Sequence, residues 1–264
     1  MKVLSLFAGI GGFDLGLQRA GFQIAAQVEI SPFCSRVLEK HWPGVERFED
    51  ITKVEEFPKA DIICAGFPCQ DISVAGKGAG LSGQRSGLWT EALRAICMVR
   101  PKYAVLENVA ALCNRGLSII LGALAESGYD SEWDCLPASA FGAPHQRDRL
   151  FIIAYSDRNQ LRQQQRRGSG QSGQGPSESG NIGSVGGTTY TKGKRLPGWA
   201  VLSATSFEAR RFRPEGNNPW SLESGVGGVA YGLPNRAHRL RALGNAIVPQ
   251  IPEWIGEQIL RDAT

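Results

Sequence analysis

Residues 2–12, KVLSLFAGIGG, decide how the rest of the chain is read. Lys2 to Phe7 is an apolar run of strand length. Gly9, Gly11 and Gly12 follow at once. From Gly12 to Ala20 apolar residues recur at helical spacing, and Gly21 is placed to end that helix. Strand, glycine turn and helix in this order let the backbone approach a ligand at a helix N-terminus. Glu29 closes the next strand-like run, residues 24–28, and stands 20 residues after Gly9. A carboxylate at about that distance suits ribose hydroxyls. The glycines are spaced G-x-G-G rather than G-x-G-x-x-G, which argues against a dehydrogenase loop that binds a pyrophosphate.

The pattern repeats outward from this opening. Ser31-Pro32 reads as an N-cap followed by proline at the first helical position. Residues 60–65, 102–106 and 150–155 read as strands, and 90–99 and 118–127 as helices, the first of them stopped before Pro101. Strands alternating with helices predict an α/β fold, a doubly wound and mostly parallel sheet covered on both faces. The 264 residues suffice for one or two domains with a sizeable core, and 42% apolar residues argue against wholesale disorder.

Composition shifts past residue 158. Residues 159–188 are rich in Gln, Gly and Ser, so 158–195 is expected to be a linker or mobile loop. Arginines and aromatics return in 196–235, which is expected to form a small irregular region, and 251–260 reads as a C-terminal helix. Residues 1–157 carry 15 Lys and Arg against 18 Asp and Glu, a net −3; residues 158–264 carry 14 against 7, a net +7. That asymmetry suggests that two tasks are divided along the chain. No apolar run approaches the roughly 20 residues that span a bilayer. Met1-Lys2 leads straight into a strand-like run, so no signal peptide is expected. The six cysteines form no CxxC pair and are expected to be reduced thiols of a cytoplasmic protein, with no metal site.

Four further clusters carry chemistry. Asp50-Ile51 offers a carboxylate for an adenine, although a lone loop acid is more often simply solvated. Gly66-Phe67-Pro68-Cys69-Gln70 puts a thiol just past a strand, at the edge where such sheets bind ligands. The other five cysteines read as small core residues. Glu107-Asn108-Val109 puts an acid at the end of another strand, behind apolar Val105 and Leu106 that would raise its pKa. In Gln146-Arg147-Asp148-Arg149 the two guanidiniums would project to one side of an extended chain.

Each cluster alone is weak; their order and spacing are specific. Together with Gly244-Asn245-Ala246-Ile247-Val248-Pro249, they resemble the DNA (cytosine-5)-methyltransferase family over residues 1–157 and about 236–262. The resemblance implies methyl transfer from S-adenosylmethionine to C5 of cytosine in double-stranded DNA, with the base flipped out of the stack. It implies Cys69 as the nucleophile on C6, Glu107 as the acid at N3 with Asn108 beside it, and Arg147 and Arg149 holding the cytosine carbonyl and the Glu107 carboxylate. It implies a cofactor pocket from Phe7, Ala8, Gly9, Gly11, Glu29, Ile30, Asp50, Ile51, Pro68, Leu88 and Asn245. Ser73, Lys77 and Arg85 fall in what is similar to the family's mobile catalytic loop and are expected DNA contacts. Arg210, Arg211 and Arg213 are expected to meet phosphate from a target-recognition region, 196–235. Residues 1–157 would then be the catalytic and cofactor domain, and 236–264 would return to it. His145 stands where the family often has Gln, and Ala246 where some members have Ser. A monomer with a cognate restriction endonuclease is expected. A tRNA cytosine-5 methyltransferase and a non-catalytic DNA-binding relative remain as other readings.

Overall fold

A run of apolar residues that alternates between two buried faces belongs in the middle of a covered sheet, and Lys2–Leu6 takes that place as β1. The computed structural model describes residues 1–68, 87–114, 116–156, 184–185, 188–189 and 235–263. Among them, six more strands join β1 in one sheet: β2 (Gln23–Val28), β3 (Glu46–Phe48), β4 (Ile62–Gly66), β5 (Tyr103–Val109), β6 (Tyr129–Pro137) and β7 (Asp148–Ser156). Their order is β3-β2-β1-β4-β5-β7-β6. The first five are parallel, and β7 runs against both of its neighbours. The expected doubly wound, mostly parallel architecture is what forms.

Alternation divides the core in two. Leu4, Leu6, Ile63, Ala65, Leu106 and Ile152 pack on one face with α3 (Leu88–Val99) and α4 (Leu117–Glu126). Val3, Ile62, Cys64, Val105 and Ile153 pack on the other with α1 (Gly12–Arg19) and the C-terminal helix Gln250–Ala263. Between β2 and β3 lies α2 (Pro32–His41), whose Ser31 Oγ accepts from the Cys34 N–H at 3.4 Å, with Pro32 at the first helical position. Asp14, fully buried in α1, accepts from Ser5 Oγ at 2.9 Å and Gln27 Nε2 at 2.7 Å, which ties α1 to β1 and β2. Burial raises its carboxyl above the ordinary value.

Preceding the C-terminal helix is α5 (Arg236–Asn245), so the C-terminal helix is α6. It lies directly on α1: a Cβ at Gly16 would stand 2.2 Å from the Pro249 oxygen and 2.6 Å from Pro252 Cγ. Gly16→Ala must therefore push α6 away from α1. We expect about 1–3 kcal/mol of destabilisation, or more, read as a lowered thermal midpoint against wild type. An unchanged midpoint would mean that α6 does not sit there in solution.

Several elements differ from the sequence expectation. β5 extends to Val109, so Glu107 and Asn108 lie inside the strand rather than past its end. β6 was not expected, because an edge strand with polar residues toward both faces (YDSEWDCLP) shows no apolar alternation. α5 was not expected either, since it carries no apolar stripe. The cysteines are not uniformly core residues. Cys34 and Cys64 are buried, but Cys97 and Cys113 are exposed and Cys135 is half-buried, because they fall on an outer helix face, a 3-10 turn and the edge strand. Ser184–Val185 pairs antiparallel with Thr188–Thr189 within the stretch read as a linker. Among the described residues no helix is long and apolar enough to cross a membrane.

Candidate active site

The strand order turns back on itself between β1 and β4, which leaves a crevice at the carboxyl ends of the strands. A cavity of about 610 Å3 opens there. The turn after β1 forms one wall through Phe7, Ala8 and Gly9. Phe7 takes a left-handed φ of 54°, uncommon for a bulky residue and characteristic of backbone held for function. Glu29, just past β2, accepts from the Gly9 N–H and the Ser31 N–H at 2.7 Å each, so its carboxylate fixes the turn and the entry to α2. Beside it Ile30 is 65% exposed on the cavity rim, an apolar surface open to a ligand. Asp50 and Ile51 line the cavity after β3. Asp50 accepts from the Thr52 N–H and hydroxyl, bonds that hold its carboxyl below the ordinary value. Pro68, Leu88 and Asn245 complete the wall. Gly11 does not line the cavity; it caps α1 at φ 87°, and a Cβ there would stand 2.5 Å from the Trp42 ring.

The acid sits deeper. Glu107 is registered against Gly66 on β4 and Phe151 on β7. Its Oε1 lies 3.0 Å from Arg149 Nε, and the two side chains are 11% and 23% exposed. Burial outweighs the nearby charges of Arg149 and Arg147 and pushes the Glu107 carboxyl up to about 7. Asn108, 3% exposed, donates from Nδ2 to the Phe67 oxygen at 2.8 Å, while its Oδ1 accepts from the Val109 N–H at 2.9 Å. It thus pins the segment Phe67-Pro68 to β5, immediately before Cys69 in the chain. Among the described residues, no cluster of three His, Cys, Asp or Glu side chains could hold a metal ion.

The sequence profile of the C-5 cytosine-specific DNA methylase family matches residues 1–195. The chain belongs to that family. It is 40% identical over 162 residues to the Type II methyltransferase M2.BsuMI of Bacillus subtilis, covering 58% of this chain and 42% of that protein. It is 35% identical over 167 residues to the Type II methyltransferase M.HgiBI of Herpetosiphon aurantiacus, covering 61% and 38%. The chain thus spans about two fifths of these relatives. The crystal structure of a DNMT2 mutant from Spodoptera frugiperda aligns with a TM-score of 0.49 at 21% identity, over 60% of this chain and 50% of that one.

In this member of the family the two arginines do not project as a parallel pair. Arg147 has φ 38°, so the extended chain that would align it with Arg149 starts only at Asp148. Arg149 reaches Glu107, whereas Arg147 donates to the Gly244 oxygen at 2.7 Å and the Ala246 oxygen at 2.8 Å. Among the lining residues that sequence reasoning placed elsewhere are His238, read as packing or surface, and Arg241, read as facing DNA or bridging the domains. Their signal was spacing: with Ala242 and Asn245 they recur three or four residues apart, but polar side chains hid the helix. Cys69, Ser73, Lys77, Arg85, Arg210, Arg211 and Arg213, and the region 196–234, lie outside the described residues.

Proposed function

We propose that this protein transfers a methyl group from S-adenosylmethionine to C5 of cytosine in double-stranded DNA. The observation that carries the reading is the buried Glu107–Arg149 pair, with the acid raised to about 7, at the cavity that also holds Pro68. A carboxyl poised near neutrality can give up a proton at working pH. S-adenosylmethionine fits the cavity: its volume lies in the range typical of ligand pockets, roughly 300–1,000 Å3. Glu29 offers the remaining lone pairs of its carboxylate to ribose hydroxyls, Ile30 an apolar surface to the adenine, and Asp50 and Ile51 their edge. When bound, the cofactor supplies an electrophilic methyl on a sulfonium.

The chain's own residues do the rest. The Cys69 thiolate adds to C6 while Glu107 gives its proton to N3, which makes C5 nucleophilic. Arg149 orients Glu107, and Asn108 holds the backbone that leads into Cys69. Once C5 is methylated, loss of its proton to water, return of the N3 proton to the Glu107 carboxylate and departure of the Cys69 thiolate restore the aromatic ring. The cytosine must leave the duplex stack to reach these groups. In this reading residues 1–157 and 236–264 form the catalytic and cofactor domain. Residues 158–195 are a linker, and 196–235 recognise the target, with Arg210, Arg211 and Arg213 on phosphates and Ser73, Lys77 and Arg85 closing over the DNA. The protein works as a cytoplasmic monomer beside a cognate restriction endonuclease.

The test is labelled methyl transfer to duplex DNA and to tRNA side by side, followed by bisulfite sequencing of DNA from expressing cells. Label in DNA alone, at cytosines within one short sequence, is expected. Label in tRNA alone would move the substrate to RNA, and binding of DNA without turnover would leave a non-catalytic relative.

A further inference from the structure

One face of α5 belongs to the cavity. His238, Arg241, Ala242 and Asn245 all line it, at the spacing that stacks side chains along a helix. The helix is held at both ends. Near its start the His238 ring stacks on Phe33 of α2, with centroids 5.7 Å apart and planes at 23°. At its end Arg147 grips the Gly244 and Ala246 oxygens. Beyond it Ile247 reaches the centre of the sheet, where its oxygen would lie 2.5 Å from a Cβ at Gly12 and its Cδ1 3.6 Å from one at Gly66. α5 therefore runs from the α2 side, beside Glu29 and Ile30, to the ends of β1 and β4. Arg241 stands about one turn from either end of that stripe.

Charge supplies the second argument. Glu29, Glu49 and Asp50 make the cavity wall acidic, which suits a cationic sulfonium. The amino-acid end of S-adenosylmethionine also carries a carboxylate, which such a wall repels. Of the two arginines among the described lining residues, Arg149 is committed to Glu107. Arg241 forms no ion pair with a carboxylate among the described residues and is exposed to the cavity mouth.

We propose that Arg241 supplies the counter-charge for the carboxylate of the cofactor's amino-acid end, and that the His238–Phe33 stack covers its adenosine end. The proposal rests on the cofactor reading above. A guanidinium matches a carboxylate in shape and charge, and such charge-assisted bonds are the strong ones.

Calorimetric titration of the full chain with two probes tests it. S-adenosylhomocysteine keeps the carboxylate; 5′-methylthioadenosine has the same adenosine and thioether without the amino-acid end. Arg241→Gln is expected to weaken S-adenosylhomocysteine by roughly 10- to 100-fold. It is expected to leave methylthioadenosine within about twofold. Arg241→Lys should recover most of the loss. His238→Ala should weaken both probes alike, by about three- to tenfold. Arg241→Gln that leaves S-adenosylhomocysteine unchanged, or weakens both probes equally, overturns the proposal. Wild-type protein that binds neither probe overturns the cofactor reading itself, an outcome distinct from either.

Discussion

Cys69→Ser is expected to lower methyl transfer to duplex DNA by at least about a thousandfold. A serine hydroxyl is far less ionised than a thiol near neutral pH and is the weaker nucleophile toward C6. Binding should survive, because the cavity walls are made by other residues: S-adenosylhomocysteine affinity is expected to stay within about twofold. Duplex DNA with 5-fluorocytosine at the target sharpens the experiment. Fluorine at C5 cannot leave as a proton does, so the wild-type adduct persists and migrates as a complex on denaturing gels. The serine variant should give no such band. Methyl transfer near the wild-type rate by this variant would sink the covalent mechanism.

Glu107→Gln has the second largest effect, a loss of roughly 10²- to 10⁴-fold in turnover. Its pH signature separates it from simple damage. Burial raises the Glu107 carboxyl to about 7, so the protonated acid disappears as pH rises through neutrality. Wild-type turnover should decline above about pH 7, and the residual activity of the glutamine variant should not follow that decline. Stability carries the same signature. The folded value lies above the ordinary 4.5, so the contribution is fully present below about 4.5 and is lost as pH rises toward 7. That loss is about 3 kcal/mol at most. Thermal midpoints measured from pH 5 to pH 8 should fall less in the variant than in wild type. Parallel curves would mean that Glu107 ionises like an exposed acid.

The strand ends and their acids were legible because each depends on neighbours in sequence. A buried parallel strand needs an unbroken apolar run, and a turn that admits a ligand needs glycine. KVLSLFAGIGG therefore announces both β1 and the wall made by Phe7, Ala8 and Gly9. Glu29 and Glu107 follow apolar runs in the same way, whereas Asp50 comes after the short, polar β3. Strands β6 and helix α5 escaped because neither shows a periodic apolar face. β6 is an edge strand whose partner is β7, and the leucines of α5, Leu240 and Leu243, are exposed rather than gathered on a buried face.

Local pattern thus settles the α/β class, the mostly parallel sheet, and which strand ends carry acids, since all three follow from short-range alternation and turn chemistry. What the tertiary structure alone decided is who meets whom. Arg147 and Arg149 stand two residues apart, yet one serves Glu107 and the other grips Gly244 and Ala246, almost a hundred residues downstream. The backbone turn at Arg147 and the return of α5 to the cavity separate them. No local pattern encodes that return, because it depends on α6 packing against Gly16 and on the ring stack of His238 and Phe33. The value of about 7 at Glu107 is likewise tertiary. A strand-end acid becomes a proton donor only when sheet, cavity wall and Arg149 together exclude water without fully paying its charge.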